Sequence, residues 1–174
     1  MTYTIYGAPG SGSGIIEAAC AEIGGDYQVQ DLDARNAEHR EQDYAEVNPH
    51  CKIPTLRTQE GETITESVAI LTALDERHRE AGLLPPPGSA DRAQAFRWML
   101  FLATEVYPLI EISDYPERFV PAGAAAESLR QRAEQMQHER WRIVEQHIGG
   151  NPYCVAYGFS ATDLYITKLS VWLD

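Results

Sequence analysis

Two short stretches of the chain carry residue types suited to reading a peptide. Ile53-Pro54-Thr55-Leu56 follows Asn48-Pro49, and Thr65-Glu66-Ser67-Val68-Ala69-Ile70-Leu71 comes shortly after. Pro54 stands where a strand should begin. It cannot donate a ladder hydrogen bond but can fix a turn, as a cis peptide does. A cis Ile53-Pro54 bond would turn the N–H and C=O of Ile53 outward, where an extended peptide pairs with them. Glu66-Ser67 opens a strongly helical run, so its first-turn N–H groups and the Ser67 hydroxyl would face a nearby carboxylate. The two elements outline a site for a small, charged peptide.

A third chemistry-bearing stretch is the glycine-rich turn Gly7-Ala8-Pro9-Gly10-Ser11-Gly12-Ser13-Gly14. Gly7 and Gly12 have the spacing of a phosphate-binding loop, but Ser13-Gly14 stands where a lysine is required to pair the phosphate charge. Gly10, Gly12 and Gly14 miss the dinucleotide pattern by one position. Cys20, Cys51 and Cys154 form no CxxC, and His39, His50, His78, His138 and His147 have no ligand spacing, so no metal is assigned. Cys51 is the thiol to watch, because it lies in the peptide-reading stretch beside Lys52, whose charge would lower its pKa.

These residues need elements to hold them. Tyr3-Thr4-Ile5-Tyr6 reads as a strand ending in the glycine-rich turn; Ile15, Ile16, Ala19, Cys20 and Ile23 recur at helical spacing up to Gly24-Gly25, and Tyr27 to Gln30 reads as a second strand. A polar segment from Ala34 to Val47 predicts a short exposed helix. Thr55–Thr58 and Thr63–Thr65 predict a hairpin around Glu60-Gly61, followed by a helix from Glu66 to Arg79. The order is βαβ, an irregular helix, then ββα.

Leu84-Pro85-Pro86-Pro87-Gly88 reads as a stiff, exposed linker, and everything beyond it as helix. This divides the chain into an α/β domain over residues 1–80, a linker over 81–89 and an all-helical domain over 90–174. Ala93, Phe96, Leu100, Ala103 and Tyr107 fall on one helical face, with Met99, Leu102 and Val106 beside them, and Pro108 predicts a kink. A second helix carries Leu129, Ala133, Met136, Ile143 and Val144. A third starts at the capping box Ser160-Ala161-Thr162-Asp163, which is structural and stays outside the site. Trp98, Tyr107 and Tyr115 read as core or interface packing. The chain stops at Asp174 after an apolar turn, which predicts one or two further helices.

The 174 residues carry a formal net charge of -12, which argues against nucleic-acid binding because no basic excess exists to neutralise phosphates. No run approaches the roughly 18 apolar residues of a membrane span, and the N-terminus lacks signal-peptide features, so a cytoplasmic protein without a membrane partner is expected.

Together, Asn48-Pro49, Ile53-Pro54-Thr55-Leu56, Glu66-Ser67-Val68-Ala69-Ile70-Leu71, the proline-rich linker and Ser160-x-x-Asp163 resemble the cytosolic glutathione S-transferase superfamily, from Tyr3 to Trp172. The resemblance implies a thioredoxin-like N-terminal domain that binds glutathione as cosubstrate, and a helical domain that accommodates a small hydrophobic electrophile. It implies that Ile53 pairs through its backbone with the cysteinyl part of glutathione just before a cis Pro54. Glu66 and Ser67 would hold the γ-glutamyl amino and carboxylate groups, and Lys52 would contact the glycyl carboxylate. It also implies a homodimer, in which Glu105 reaches the partner subunit's glutathione.

The beta-class cysteine after the first strand is replaced here by Gly10, and Pro9-Gly10-Ser11 is similar to the serine-type classes. Ser11 is then the first candidate to donate to the glutathione sulfur, and Ser13 the second. Such a donor, with the positive end of the following helix, must depress a thiol pKa of about 8.5 by about two units. The expected activity is conjugation of the glutathione thiolate to an electrophile. A non-catalytic binding or assembly module and a glutathione-dependent thiol reductase are the alternatives; the latter needs Cys51 to face the site.

Overall fold

The computed structural model describes residues 2–33 and 38–173. Residues 34–37, part of the segment expected to hold a short exposed helix, and Asp174, on which the expectation of further helices rests, lie outside the described residues. The chain divides into two units, Met1–Pro86 and Pro87–Asp174.

In the first unit, β1 (Thr2–Gly7), β2 (Asp26–Asp31), β3 (Thr55–Arg57) and β4 (Thr63–Thr65) form one mixed sheet in the order β2-β1-β3-β4. β1 and β2 are parallel, as a helical crossover through α1 (Ser13–Glu22) requires; β3 pairs antiparallel with both β1 and β4. Ile5 and Leu56, opposite one another in the sheet, are fully buried. So are Ile15, Ile16 and Ala19 of α1, and Ile70, Leu71 and Leu74 of α3 (Ser67–Arg77), which packs against α1. Each of these isoleucine and leucine side chains contributes about 1.5–3 kcal/mol.

The segment expected to be an exposed helix holds a 3-10 turn at Glu38–Arg40 and the short α2 (Gln42–Ala45). It is not wholly exposed: Tyr44 is buried and packs with Tyr6 and Leu32. The expected linker also needs correction at its start. Leu83, Leu84 and Pro85 are buried, and the Leu84 N–H donates to the buried Asp75 carboxylate at 2.9 Å, so only residues 86–88 are exposed.

The second unit holds α4 (Ala90–Phe101), α5 (Tyr107–Asp114), α6 (Ala124–Ile148) and α7 (Ala161–Ser170). Ser89 caps α4 by accepting the Arg92 N–H at 3.1 Å. The buried face of α4 is not the stripe through Ala93 and Leu100: Ala95, Trp98, Met99, Leu102 and Val106 are enclosed, while Leu100 is half exposed. Both stripes are apolar at helical spacing, so periodicity cannot choose between them. Leu102–Val106 winds as a π-helix before Pro108, the second residue of α5. The proline has no N–H for the preceding turn, and the extra residue accommodates its ring.

Along α6 the buried positions are Ala126, Ala133, Gln137, Trp141 and Val144, whereas Ile143 is exposed. Gln137 was not expected inside. Its amide donates to the Leu109 carbonyl at 3.2 Å and the Ser113 hydroxyl at 2.8 Å, satisfying a polar group that burial would otherwise penalise. Of the two expectations for Tyr115, core or interface packing, the core one does not hold: it is half exposed beneath the Arg118 guanidinium.

The Ser160 and Asp163 capping box is formed at the start of α7. Asp163 also accepts the Cys154 N–H at 2.8 Å, as it does that of Ser160, so it anchors the preceding loop as well as the helix. Asp163→Ala strands both amides and is expected to cost about 2–4 kcal/mol, measured as a lowered midpoint in urea denaturation. These observations give a thioredoxin-like first unit followed by an all-α second unit. Among the described residues, no helix is long and apolar enough to cross a membrane.

Candidate functional site

Sheet register determines which loops meet. β1 ends at Gly7, opposite the end of β2 at Asp31, and Tyr6 lies opposite Thr55 at the start of β3. Thr55 in turn faces Thr65, the last residue of β4. One end of the sheet therefore bears the turn with Ser11 and Ser13, the Ile53-Pro54 segment and the Glu66-Ser67 junction. The N-termini of α1 and α3 open from the same end and favour negative charge there; the first N–H groups of α1 are paired within its own turn, whereas those of α3 have no partner among the described residues.

The Ile53-Pro54 peptide bond is cis. Asn48 shapes the approach to it: its Nδ2 donates to the Lys52 carbonyl at 2.7 Å, and its Oδ1 accepts the His50 N–H at 3.0 Å. Cys51 closes the turn by donating its N–H to the Asn48 carbonyl, in a left-handed conformation with φ 53°. Among the described residues, the backbone N–H and C=O of Ile53 have no partner. Lys52 is exposed beside them.

Glu66 is exposed and also lies at positive φ, 65°, unusual for a side chain of its size. Such a conformation costs of order 1–3 kcal/mol and concentrates at ligand-holding positions. Its carbonyl accepts the Ile70 N–H at 2.9 Å, leaving the earlier N–H groups of α3 unspent. Ser67 is 9% exposed, and among the described residues its hydroxyl has no hydrogen-bond partner.

The two serines of the glycine-rich turn differ. The Ser13 side chain is fully buried, its hydroxyl within reach of Glu17 at 2.9 Å and the Ala8 carbonyl at 3.4 Å. It packs so closely on Gly7 that a Cβ there would occupy the same space. Ser13 therefore supports the turn from inside, enclosed and engaged with Glu17 and the Ala8 carbonyl. Ser11 is partly exposed: its Oγ accepts the Ala8 and Ser13 N–H groups, both at 3.2 Å, and donates to the Ser13 hydroxyl at 3.0 Å. Two accepted bonds polarise its O–H, so rotating that proton toward a thiolate exchanges one hydrogen bond for another.

Glu105 lies in the π-helical segment of the second unit, and its carboxylate pairs with Arg140 of the same chain at 3.2 Å. Sequence reading missed Tyr44, whose hydroxyl reaches the Ile53 loop from α2; its only signal is an aromatic residue in an otherwise polar segment.

Two of the three thiols are inert. Burial pushes Cys20 up to about 12, with nearby Glu17 adding to it; burial and then Asp163 do the same for Cys154, up to about 12, against the opposing charge of Arg97. Cys51 is only half buried. Iodoacetamide at pH 8 is expected to label Cys51 alone in the native protein and all three cysteines after unfolding, read by peptide mass spectrometry.

A thioredoxin-like sheet with a cis-proline loop and a helix start at one end, followed by a helical unit, defines the class of protein that comprises the glutathione transferases and their homologues. A family profile described as glutathione S-transferase, N-terminal domain, matches residues 15–77. A GST-like protein of Escherichia coli K12, YncG, is 31% identical over 97% of this chain and 80% of its own. Glutathione S-transferase GstA of Escherichia coli O157:H7 is 28% identical over 96% of this chain and 85% of its own. A glutathione transferase homologue from Sulfitobacter, solved with bound glutathione, superposes with a TM-score of 0.93 at 26% identity, covering 99% of this chain and 83% of the other. The chain belongs to the glutathione S-transferase superfamily.

Proposed function

We propose that the chain is a glutathione transferase that binds glutathione at this end of the sheet and directs its thiolate at a small hydrophobic electrophile. The observation that carries the reading is the convergence of three complementary groups: the unpaired backbone of Ile53, the Ser67 hydroxyl with the first N–H groups of α3, and Ser11. They match an extended peptide backbone, an α-carboxylate and a thiol. The bound glutathione of the Sulfitobacter homologue supports the ligand assignment. In this reading Glu66 takes the γ-glutamyl ammonium, Lys52 the glycyl carboxylate, and no further cofactor is needed. The chemistry is loss of the thiol proton to solvent and attack of sulfur on an electrophilic carbon: a C–S bond forms while the halide leaves with the C–X electron pair, or the epoxide C–O bond breaks and its alkoxide takes a proton from solvent.

Calorimetric titration with glutathione, paired with conjugation assays on aryl halides and epoxides, tests the reading. Saturable binding and turnover are expected; absence of binding overturns it. Binding without turnover would favour the non-catalytic module, toward which one observation points: the Ser11 proton is already engaged by Ser13. A thiol-reductase role would have to rest on Cys51, since Cys20 and Cys154 are buried.

The protein is further proposed to be a cytoplasmic homodimer. The exposed Leu100, within the apolar outer stripe of α4, supplies a surface for self-association. The Arg140 pairing of Glu105 favours a role for that carboxylate within its own chain over a reach across subunits.

A further inference from the structure

We infer that Tyr44 is a positioning residue for the glutathione site, its hydroxyl aiming the Ile53 N–H at the ligand by holding the carbonyl on the other side of the same peptide unit. The inference rests on the reading that Ile53 pairs with glutathione.

The Tyr44 hydroxyl lies 2.7 Å from the Lys52 carbonyl oxygen and 2.8 Å from the Thr55 hydroxyl. Asn48 Nδ2 reaches the same two atoms, at 2.7 and 3.2 Å. Counting protons assigns every bond in this ring. A carbonyl only accepts, so Tyr44 spends its single proton on Lys52. Thr55 must then donate to the tyrosine oxygen, and it accepts one Asn48 proton while the other goes to Lys52. Tyr44, Asn48 and Thr55 are all buried, so no water substitutes for a missing member.

The geometry of the peptide unit turns this ring into a pointing device. The Lys52-Ile53 peptide is trans, so its C=O and N–H point in opposite directions from one plane. Two donors draw the carbonyl into the protein, and the Ile53 N–H is consequently driven outward. Thr55 ties down the far side of the Ile53-Pro54 pair. The Tyr44 ring cannot withdraw: it packs against Tyr6 with centroids 5.7 Å apart and lies with Leu32, Val47 and Ile53 itself. One phenol thus couples the core of the first unit to the backbone that reads the ligand.

Tyr44→Phe removes the hydroxyl while retaining the packing ring. Glutathione affinity is expected to weaken about tenfold by calorimetry, with kcat at saturating glutathione unchanged. Amide relaxation in the ligand-free protein is expected to show increased motion confined to residues 50–53. Wild-type affinity in the variant overturns the inference, as does a fall in kcat at unchanged KM. If the native protein binds no glutathione, the functional reading fails, and relaxation alone decides the clamp: mobility gained at Ile53 sustains it, unchanged mobility overturns it. Should Tyr44→Phe fail to fold, Asn48→Ala removes the other donor to the Lys52 carbonyl and must reproduce the loss.

Discussion

Ser67→Ala is expected to lower the affinity for glutathione by roughly 10- to 100-fold while leaving the fold intact. The residue is largely buried, its hydroxyl has no partner among the described residues, and it stands at the first position of α3 beside unspent N–H groups. A carboxylate placed there would accept a charge-assisted hydrogen bond worth about 1.5–3 kcal/mol, and each 1.4 kcal/mol is about a factor of ten. Stability should hardly change or should rise slightly, because removing an unpaired polar group from a buried position costs the folded state nothing. Calorimetric titration and urea denaturation on the same preparation measure both quantities. An unaltered dissociation constant would remove Ser67 from the site.

Ser11→Ala is expected to act on ionisation and, at or below pH 6.5, to leave affinity nearly untouched, the loss growing at higher pH as the thiolate becomes the bound form. Without the donor, the thiol pKa of bound glutathione should rise by about two units toward its free value near 8.5 to 9. Turnover follows the thiolate fraction, so at pH 6.5 the rate should fall by roughly 50- to 75-fold. At pH 9.5 the thiol ionises unaided, and the variant should approach the native enzyme. The pH-rate profile therefore moves to higher pH as a whole, a signature that misfolding or lost affinity does not produce. A native profile in Ser11→Ala would transfer the role to backbone N–H groups at the start of α1, since Ser13 is engaged inside the turn.

The cis-proline and helix-start half of the proposed site was legible because its geometry is local. A proline at a strand start and a Glu-Ser pair opening a helix announce themselves at short range, and the cis bond and helix start lie where those residues stand. The serines were less legible. Ser11 and Ser13 are two residues apart in a glycine-rich turn, and only the packing of Ser13 onto Gly7 distinguishes the inner hydroxyl from the outer. Tyr44 was illegible for a related reason: the atoms it holds, Lys52 O and Thr55 Oγ1, are reached only once α2 folds back over the loop.

What the sequence by itself determined is the set of elements and their punctuation. Strand and helix periods, the proline and glycine breaks and the Ser160-Asp163 cap each depend on neighbours a few residues away, and those neighbours are printed in the chain. The tertiary structure decided which of two apolar stripes on α4 faces inward, that Gln137 is buried and satisfied, and that three loops separated by tens of residues share one end of the sheet. Those outcomes depend on strand register and on competition among surfaces for burial. Both are long-range quantities that no local pattern of residues carries.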